Sequence, residues 1–300
     1  MKIIDIHTHG ISGFDTRTFQ SDHILKIADC HGSSGVSHIL LSVYPSSTER
    51  MRRWMKTIRR AMEWQHSGQG AGEKTGKPVL REDRSAQILG VHLEGPFLNP
   101  VKCGALNAAY CLKPSLRDFR KLIEGYDDIV RVVTVAPELP GAIALIRQMT
   151  RQGIIASMGH SDATFAEAEA GFHAGARGIT HLFNAMRGMH HREPGIAGFG
   201  LINQEIYVEV IADPHHLHPA TLDLIFRTKN PERIILVSDT VRGTRKAGGG
   251  KPVADRQGNL LGGSMTVAGT AQRLTEGDFR KSLIMQCITK NPERYLSFSH

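Results

Sequence analysis

The chain has few cysteines and few aromatic residues for its length. Its 300 residues include four cysteines and only 6% Phe, Trp and Tyr. Cysteines this sparse, with no close pair among them, argue against a disulfide scaffold and against a thiolate zinc site. They favour buried free thiols in a reducing compartment. The sequence also lacks an apolar stretch long enough for a signal peptide or a membrane span, which predicts a cytoplasmic protein without membrane contact.

Acidic residues are outnumbered by basic ones, and the formal net charge is +8. Much of the excess lies in one segment that alternates cations with Met, Trp and Ile at helical spacing, namely Arg52, Arg53, Lys56, Arg59 and Arg60. This pattern is typical of the solvated face of an amphipathic helix. No aromatic-interleaved basic patch or nucleic-acid motif accompanies it, so we expect an anionic small molecule as ligand and no nucleic acid.

Short apolar runs recur along the whole chain and alternate with helix-like stretches. The predicted strands are Lys2 to Ile6, Ser37 to Val43, Gln87 to Leu93, Val130 to Val135, Ile154 to Met158, Gly178 to Leu182, Tyr207 to Ile211 and Arg233 to Val237. The predicted helices are Ser21 to Cys30, Thr48 to Gln65, Leu116 to Glu124, Ala142 to Gln152, Thr164 to Ala174, Ala220 to Arg227 and a last segment from Thr270 to Leu296. Strands without alternation are typical of parallel strands covered by helices. The pattern predicts one (β/α)₈ TIM barrel domain over residues 1–300, with an open doubly wound sheet as the second choice.

Two segments do not fit the alternating pattern. Ser67 to Ser85 is rich in glycine and charge, which predicts a surface loop. Val241 to Thr266 carries two glycine clusters around a short apolar stretch, which predicts a hairpin or lid after the eighth strand.

Polar residues follow nearly every predicted strand. They are His7 and His9 after the first strand, then Glu94, Glu138, His160, His181, Asp213 and Asp239 after the third to the eighth. Barrel enzymes build their active sites at the carboxyl ends of the strands. This ring of side chains therefore marks the candidate site, although Glu138 and Asp213 fit a structural hydrogen-bonding role equally well.

The pair His7 and His9 is the strongest local signal in this ring. Alternation along an extended segment places both imidazoles on one face, where they can hold the same ion. Together with Glu94, His160, His181 and Asp239 they offer only nitrogen and carboxylate ligands. Such ligands suit one or two divalent ions of Zn, Fe, Mn or Co and disfavour soft-metal sites.

Six motifs together resemble the amidohydrolase superfamily and, within it, the N-acetylglucosamine-6-phosphate deacetylases. In chain order they are DIHTHGISGFD from Asp5 to Asp15, GVHLEGPFLNP from Gly90 to Pro100, GHSDAT from Gly159 to Thr164, THLFNAM from Thr180 to Met186, REPGIAG from Arg192 to Gly198 and LVSDT from Leu236 to Thr240. HLEGPF and THLFNAM are the specific ones, whereas the HxH pair marks only the superfamily.

The resemblance implies a role for each matching residue. Glu94, His160 and His181 correspond to the main metal site, and His7 and His9 to a second ion bridged by Glu94. Asp239 corresponds to the catalytic carboxylate, which also borders the metal. Asn184 and Ala185 correspond to sugar contacts, and Arg192 and His216 to residues that hold the phosphate. The implied reaction releases acetate from an N-acetylated amino-sugar phosphate, and the resemblance also implies a homodimer.

The chain departs from the family at two positions near the implied site. Leu106 stands where the family usually has a substrate-contacting histidine, and Pro214 replaces the usual glycine after Ile-Ala-Asp. The chain also begins at the first barrel strand and ends after the last helix, so we expect no β-sandwich domain. Two alternatives therefore stay open: an amidohydrolase acting on a different acyl amide or lactone, and a non-catalytic barrel that binds an anionic metabolite or a protein.

Overall fold

The computed structural model describes residues 2–67, 85–246 and 251–298, and its central feature is a sheet of eight parallel strands. They follow one another around the sheet in chain order: β1 (Ile4–Thr8), β2 (His38–Val43), β3 (Gln87–Leu93), β4 (Val130–Val135), β5 (Ile155–Met158), β6 (Gly178–Ile179), β7 (Tyr207–Ile211) and β8 (Ile234–Val237). The backbone amide of Asp239 donates to the carbonyl of His7 at 2.8 Å, and that of His9 donates to Thr240 at 2.8 Å. These bonds join the last strand to the first, so the sheet is the predicted closed barrel and not an open doubly wound sheet.

Helices cover the outside of the barrel. In the described residues they are α1 (Ser21–Gly32), α2 (Thr48–Ser67), α3 (Leu116–Ile123), α4 (Ala142–Arg151), α5 (Phe165–His173), α6 (Gly195–Ile202), α7 (Pro219–Thr228), α8 (Val267–Glu276), α9 (Lys281–Ile288) and α10 (Lys290–Leu296). None of these is long and apolar enough to cross a bilayer. A large apolar core fills the space between helices and strands.

The interior of the barrel holds a second, smaller apolar core. It combines strand residues such as Ile6, Val132 and Ile235 with Tyr295 from α10. The ring of Tyr295 lies 5.1 Å from that of Tyr207, the first residue of β7, so α10 closes the amino-terminal end of the barrel. The polar residues singled out in the sequence lie at the opposite, carboxyl end.

A layer of buried polar side chains separates this core from the carboxyl end. The imidazole of His92 contacts the hydroxyl of Ser42 at 3.2 Å and that of Thr134 at 2.8 Å. Thr134 in turn contacts Thr180 at 2.8 Å, and Thr180 donates to Ser157 at 2.7 Å. Since buried polar groups must be paired, this network fixes the side chains on which the site rests.

Most predicted elements are present, but helix α6 was missed. Its sequence, GIAGFGLI, contains three glycines, which disfavour helices by about 1 kcal/mol each. Close packing explains them, since a Cβ on Gly200 would lie 2.8 Å from the side chain of Ile179. Burial of nearly the whole helix outweighs the poor propensity.

Two other predicted elements have different boundaries. The last predicted helix, Thr270 to Leu296, is three helices, because Gly277 ends α8 with an extended backbone and Thr289 separates α9 from α10. Strand β6 ends at Ile179 instead of Leu182, because the backbone turns into the left-handed region at His181.

The buried-thiol prediction holds for Cys287 and is wrong for the other three cysteines, which are partly exposed.

The basic face of α2 makes specific contacts. The guanidinium of Arg52 donates to the carbonyls of Lys121, Leu122 and Glu124, and that of Arg59 pairs with Asp128. These two arginines therefore attach α2 to the turn after α3. Both guanidinium groups also lie over the ring of Tyr126 in that turn.

The predicted hairpin after β8 is present. Val253–Ala254 pairs antiparallel with Leu260–Gly262, and the amide of Gly263 donates to the carbonyl of Asp239 at 2.7 Å. The hairpin is thereby attached to the end of β8. Residues 247–250 of this segment, and residues 68–84 of the predicted surface loop, lie outside the described residues.

Candidate metal centre

Glu94 lies at the middle of the ring of side chains predicted from the sequence. It follows β3 directly, is 3% exposed, and its carboxylate is approached by four imidazoles. Oε1 lies 3.3 Å from Nε2 of His7, 3.1 Å from Nε2 of His160 and 3.2 Å from Nε2 of His181. Oε2 lies 3.1 Å from Nε2 of His9. The structure therefore brings together residues from four different strand ends, as predicted.

His160 and His181 form one half of the centre with Glu94, which we call the inner group. Nδ1 of His160 lies 3.0 Å from the carbonyl of Lys102, and Nδ1 of His181 lies 3.2 Å from that of Asn184. A carbonyl only accepts, so each Nδ1 donates its proton and each Nε2 is the ring nitrogen that faces the centre. The two Nε2 atoms are 3.0 Å apart.

His7, His9 and Asp239 form the other half, which we call the outer group. Oδ1 of Asp239 lies 3.5 Å from Nε2 of His7 and 3.6 Å from Nε2 of His9. Ligand atoms within each group lie within 4.8 Å of one another. Glu94 touches both groups, so it is placed to bridge them.

The donor set fits a divalent ion. Nε2 of His7 is buried and has no hydrogen-bond partner among the described residues, although it faces two carboxylates. In the inner group, Nε2 of His160 and Nε2 of His181 lie 3.0 Å apart and both face Oε1 of Glu94, so three potential ligand atoms converge on one point. Imidazole nitrogens and carboxylate oxygens are the ligands that Zn²⁺, Fe²⁺, Mn²⁺ and Co²⁺ accept.

The electrostatics of the centre keep Glu94 ionised. Burial by itself would raise the pKa of Glu94, but the neighbouring His9, His160, His181 and His7 outweigh it and hold the pKa well below its ordinary value. Burial would likewise lower the pKa of His7, but the charges of Asp239, Glu209 and Glu94 raise it well above normal. The protein therefore surrounds His7 with negative charge that a cation can neutralise.

Three of the six predicted ligands have a left-handed backbone. The φ angles are 47° at His160, 32° at His181 and 46° at Asp239. Non-glycine residues in this region cost on the order of 1 kcal/mol or more and are concentrated at functional sites. Each lies just past the end of its strand, where the turn directs its side chain across the barrel mouth.

The two predicted sugar contacts lie next to the inner group. The side-chain amide of Asn184 donates to the carbonyls of His181 and Leu182, so it braces the turn that carries His181. Ala185, with φ of 49°, lies against Gly104, where an added Cβ would be 3.2 Å from that of Ala185 and 3.9 Å from the ring of His160. The loop containing Lys102 and Gly104 therefore packs over the inner group.

The two predicted phosphate contacts differ in their surroundings. Arg192 is exposed, and its guanidinium lies 2.8 Å from Nε2 of His191. No carboxylate among the described residues pairs with it, so the charge is free for an anion. His216 has a side chain only 6% exposed, and its Nδ1 lies 3.0 Å from Oδ1 of Asp213. Burial would lower the pKa of His216, but the hydrogen bond and charge of Asp213 raise it.

The two residues left open in the ring are structural. Asp213 accepts from the amides of His215, His216 and Ser264 as well as from the Ser264 hydroxyl, which fixes the turn carrying His216. Glu138 accepts from Asn99, Ser161 and the amide of Asp162. Both carboxylates therefore anchor loops beside the candidate metal ligands.

The two departures from the family pattern lie outside the ligand groups. Leu106 is half-buried in the loop after β3, and Pro214 is exposed.

Sequence reasoning missed two side chains that contact the ligand histidines. Oε2 of Glu209 lies 2.9 Å from Nδ1 of His7, and the ring of Tyr44 stacks on that of His9 with centroids 3.8 Å apart. Glu209 could have been found from the sequence, because it is a charged residue in the middle of the apolar run that forms β7. Nothing in the sequence links Tyr44 to His9.

No protein-family model matches this chain. The chain is 32% identical over 285 residues to the N-acetylgalactosamine-6-phosphate deacetylase of Escherichia coli O157:H7, covering 91% of this chain and 71% of the relative. It is 33% identical over 282 residues to the N-acetylglucosamine-6-phosphate deacetylase of Bacillus subtilis (strain 168), covering 94% of this chain and 66% of the relative.

Solved structures agree with these relatives. The crystal structure of N-acetyl-D-glucosamine-6-phosphate deacetylase from Mycobacterium smegmatis superposes with a TM-score of 0.83 at 27% identity, covering 99% of this chain and 78% of that one. A mutant of that enzyme in complex with N-acetyl-D-glucosamine-6-phosphate superposes equally well. From the barrel, the two ligand groups sharing Glu94 and these similarities, we conclude that the chain belongs to the N-acetylglucosamine-6-phosphate deacetylase family of the amidohydrolases.

Proposed function

We propose that the chain is a metal-dependent amide hydrolase that removes the acetyl group from an N-acetylated amino-sugar 6-phosphate. The products are acetate and the amino-sugar phosphate. The observation that carries the proposal is the convergence of two ligand groups on Glu94 at the carboxyl end of the barrel. A non-catalytic anion-binding barrel has no need for this arrangement.

The reaction demands strong activation because an amide is a poor electrophile with a poor leaving group. A divalent ion held at the centre would lower the pKa of a bound water far below its bulk value, towards about 7, and would polarise the acetyl carbonyl. Glu94, His160 and His181 are the residues that would hold it, and His7 and His9 would hold a second one. Zn, Fe, Mn and Co all suit these ligands.

Asp239 supplies the proton transfers. Its side chain is 14% exposed, so one edge faces the barrel mouth while Oδ1 borders the outer histidines. Two backbone hydrogen bonds, from its amide to His7 and from Gly263 to its carbonyl, hold it in place. Asp239 takes a proton from the attacking water and delivers it to the amine nitrogen as the carbon–nitrogen bond breaks.

Charged groups at the mouth support an anionic substrate. Arg192 contacts His191 but has no carboxylate partner among the described residues, so its guanidinium can bind two phosphate oxygens. The turn carrying His216 is fixed by Asp213. Asn184 and Ala185 stand where sugar contacts are expected, next to the inner group. One of the named relatives is an N-acetylgalactosamine-6-phosphate deacetylase and the other is an N-acetylglucosamine-6-phosphate deacetylase, so the assay must include both sugars.

The remaining properties belong to the same proposal. We expect one domain over residues 1–300 that works in the cytoplasm as a homodimer and binds neither nucleic acid nor membranes. Arg52 and Arg59, on the basic face of α2, are engaged in contacts within the chain. These contacts support the expectation that this face does not bind nucleic acid.

The test is acetate release by the purified protein. It is supplied with N-acetylglucosamine and N-acetylgalactosamine, each with and without the 6-phosphate, and its bound metal is measured in parallel. We expect metal-dependent release from a 6-phosphate and a much lower kcat/KM for the free sugars. Leu106 favours a second candidate, an amidohydrolase for another acyl amide or lactone, and bound metal without acetate release from any of the four sugars would support it.

A further inference from the structure

The four histidines around Glu94 are held in their orientations by different means. The two histidines of the inner group donate from Nδ1 to backbone carbonyls, as described above. In the described residues, neither histidine of the outer group donates to a backbone carbonyl. Side chains set the orientation of these two rings instead.

Glu209 orients His7. It lies in the middle of β7, is 1% exposed, and its Oε2 is 2.9 Å from Nδ1 of His7. Because a carboxylate only accepts, Nδ1 donates to Glu209, and Nε2 is the ring nitrogen that faces Glu94 and Asp239. The ring of His92 packs edge-on against His7, with centroids 4.5 Å apart, and limits rotation of its plane.

The carboxylate of Glu209 is costly to the fold by itself. Its second oxygen, Oε1, is buried and has no hydrogen-bond partner among the described residues. A buried, half-satisfied carboxylate destabilises a protein unless positive charge lies close by. The contact with His7 gives a reason for this cost, because the carboxylate of Glu209 orients the imidazole of that candidate ligand.

Tyr44 orients His9 by stacking. Nδ1 of His9 has no hydrogen-bond partner in the described residues, and the ring instead lies against Tyr44 at 3.8 Å with an interplanar angle of 24°. Tyr44 is itself covered by the guanidinium of Arg17, 4.2 Å from its ring centroid. Arg17 is fixed by two hydrogen bonds to the carboxylate of Asp15. The stack therefore has a rigid base.

We propose that Glu209 and Tyr44 are positioning residues for a second metal ion, held by the outer group. The inner ion depends on backbone carbonyls, so the two ions can be lost separately. The inference rests on the proposed function only in that the centre binds metal. It names the side chains that set the affinity for the second ion, which the proposed function already assigns to His7 and His9.

The test measures zinc bound per chain after dialysis of the full-length protein against buffers of increasing free Zn²⁺. We expect two ions for the wild type and one for His160→Ala. Glu209→Ala and Tyr44→Leu should each weaken the second ion by about 10- to 100-fold and leave the first unchanged, the effect usual for residues behind metal ligands. The conservative variants separate positioning from general structure. Glu209→Gln keeps an acceptor for Nδ1 and Tyr44→Phe keeps the stack, so each should retain more of the second-ion affinity than its partner variant.

Each outcome is decisive. A wild type that binds a single ion at saturating Zn²⁺ overturns this inference and leaves the proposed function intact, whereas a wild type that binds none overturns both. Second-ion affinity unchanged in Glu209→Ala and Tyr44→Leu also overturns it. Should Glu209→Ala fail to fold, Tyr44→Leu decides by the same measurement, with Tyr44→Phe as its comparison and retention of the first ion as the control for folding.

Discussion

The Nε2 atoms of His160 and His181 lie 3.0 Å apart, and each ring donates from its other nitrogen to a backbone carbonyl. Both Nε2 atoms also lie beside Oε1 of Glu94, at 3.1 Å and 3.2 Å. Three potential ligand atoms therefore converge on one point, which is the arrangement that a divalent cation requires.

Replacing Glu94 by glutamine should remove metal and activity together. The amide has no charge to hold either ion, so we expect loss of bound metal and a fall in turnover of at least about 100-fold. Metal analysis and the acetate assay on the same preparation check this. Glu293→Gln, at an exposed glutamate paired with Lys2, is the control and should match the wild type.

Replacing Asp239 by asparagine should separate metal binding from turnover. The amide keeps the shape of the side chain but cannot carry a proton, so kcat should fall by about 10²- to 10⁴-fold while inner-group metal is retained. Metal content and single-turnover rates are the measurements. A variant with full metal and wild-type kcat would show that another group moves the proton.

Replacing Arg192 by alanine should discriminate between substrates. Loss of a charge-assisted contact of about 1.5 to 3 kcal/mol lowers kcat/KM on a 6-phosphate by roughly tenfold to a hundredfold. The free sugar should be unaffected, since it has no phosphate to lose. Arg227→Ala, at an exposed arginine of α7, is the matched control. Equal losses on both substrates would assign Arg192 to structure.

Replacing Leu106 by histidine tests the departure from the family. If the family histidine at this position bonds a sugar hydroxyl or the acetyl oxygen, a leucine leaves that group unpaired at a cost of about 1 to 3 kcal/mol. If Leu106 limits turnover of a 6-phosphate, the histidine variant should gain about tenfold or more in kcat/KM. Rapid wild-type turnover with no gain from histidine would show that another group compensates.

Replacing Asp213 by asparagine should destabilise the protein most at acidic to neutral pH. The pKa of His216 is raised above its ordinary 6.5, so its contribution to stability is complete below that pH and is lost as pH rises through the raised pKa. The pKa of Asp213 is lowered below 3.8, so its contribution persists above that value and is lost as pH falls below it. The pair therefore stabilises most between these limits.

Urea unfolding of the wild type and Asp213→Asn at about pH 5.5 and about pH 9 measures the effect. At the lower pH we expect a loss of about 1.5 to 3 kcal/mol, the range for hydrogen bonds to a charged group, and a smaller loss at the higher pH. Asp223→Asn, at an exposed carboxylate, should give no such difference. A loss independent of pH would mean that His216 is not charged in the folded protein.

The sequence by itself predicted eight covered parallel strands and the polar residues at their carboxyl ends. Apolar runs at regular intervals, separated by helices, are typical of such strands, and polar residues at the ends of parallel strands lie at the same edge of the sheet. That argument needs no contacts, because residue type and chain order are sufficient. It correctly brought Glu94 and the histidines together from four separated motifs. The structure then showed that this sheet closes into a barrel and is not an open sheet.

The tertiary structure alone decided what surrounds those ligands. His7 and Glu209 are 202 residues apart, and only barrel closure places them 2.9 Å from each other. The stacking of Tyr44 on His9 and the helical conformation of the glycine-rich α6 likewise depend on long-range packing, which overrides local propensity. Local sequence patterns indicate burial and backbone preference. The orientation of each histidine ring, and which ring nitrogen donates, depend instead on side chains that are distant in the chain and adjacent only in the folded protein.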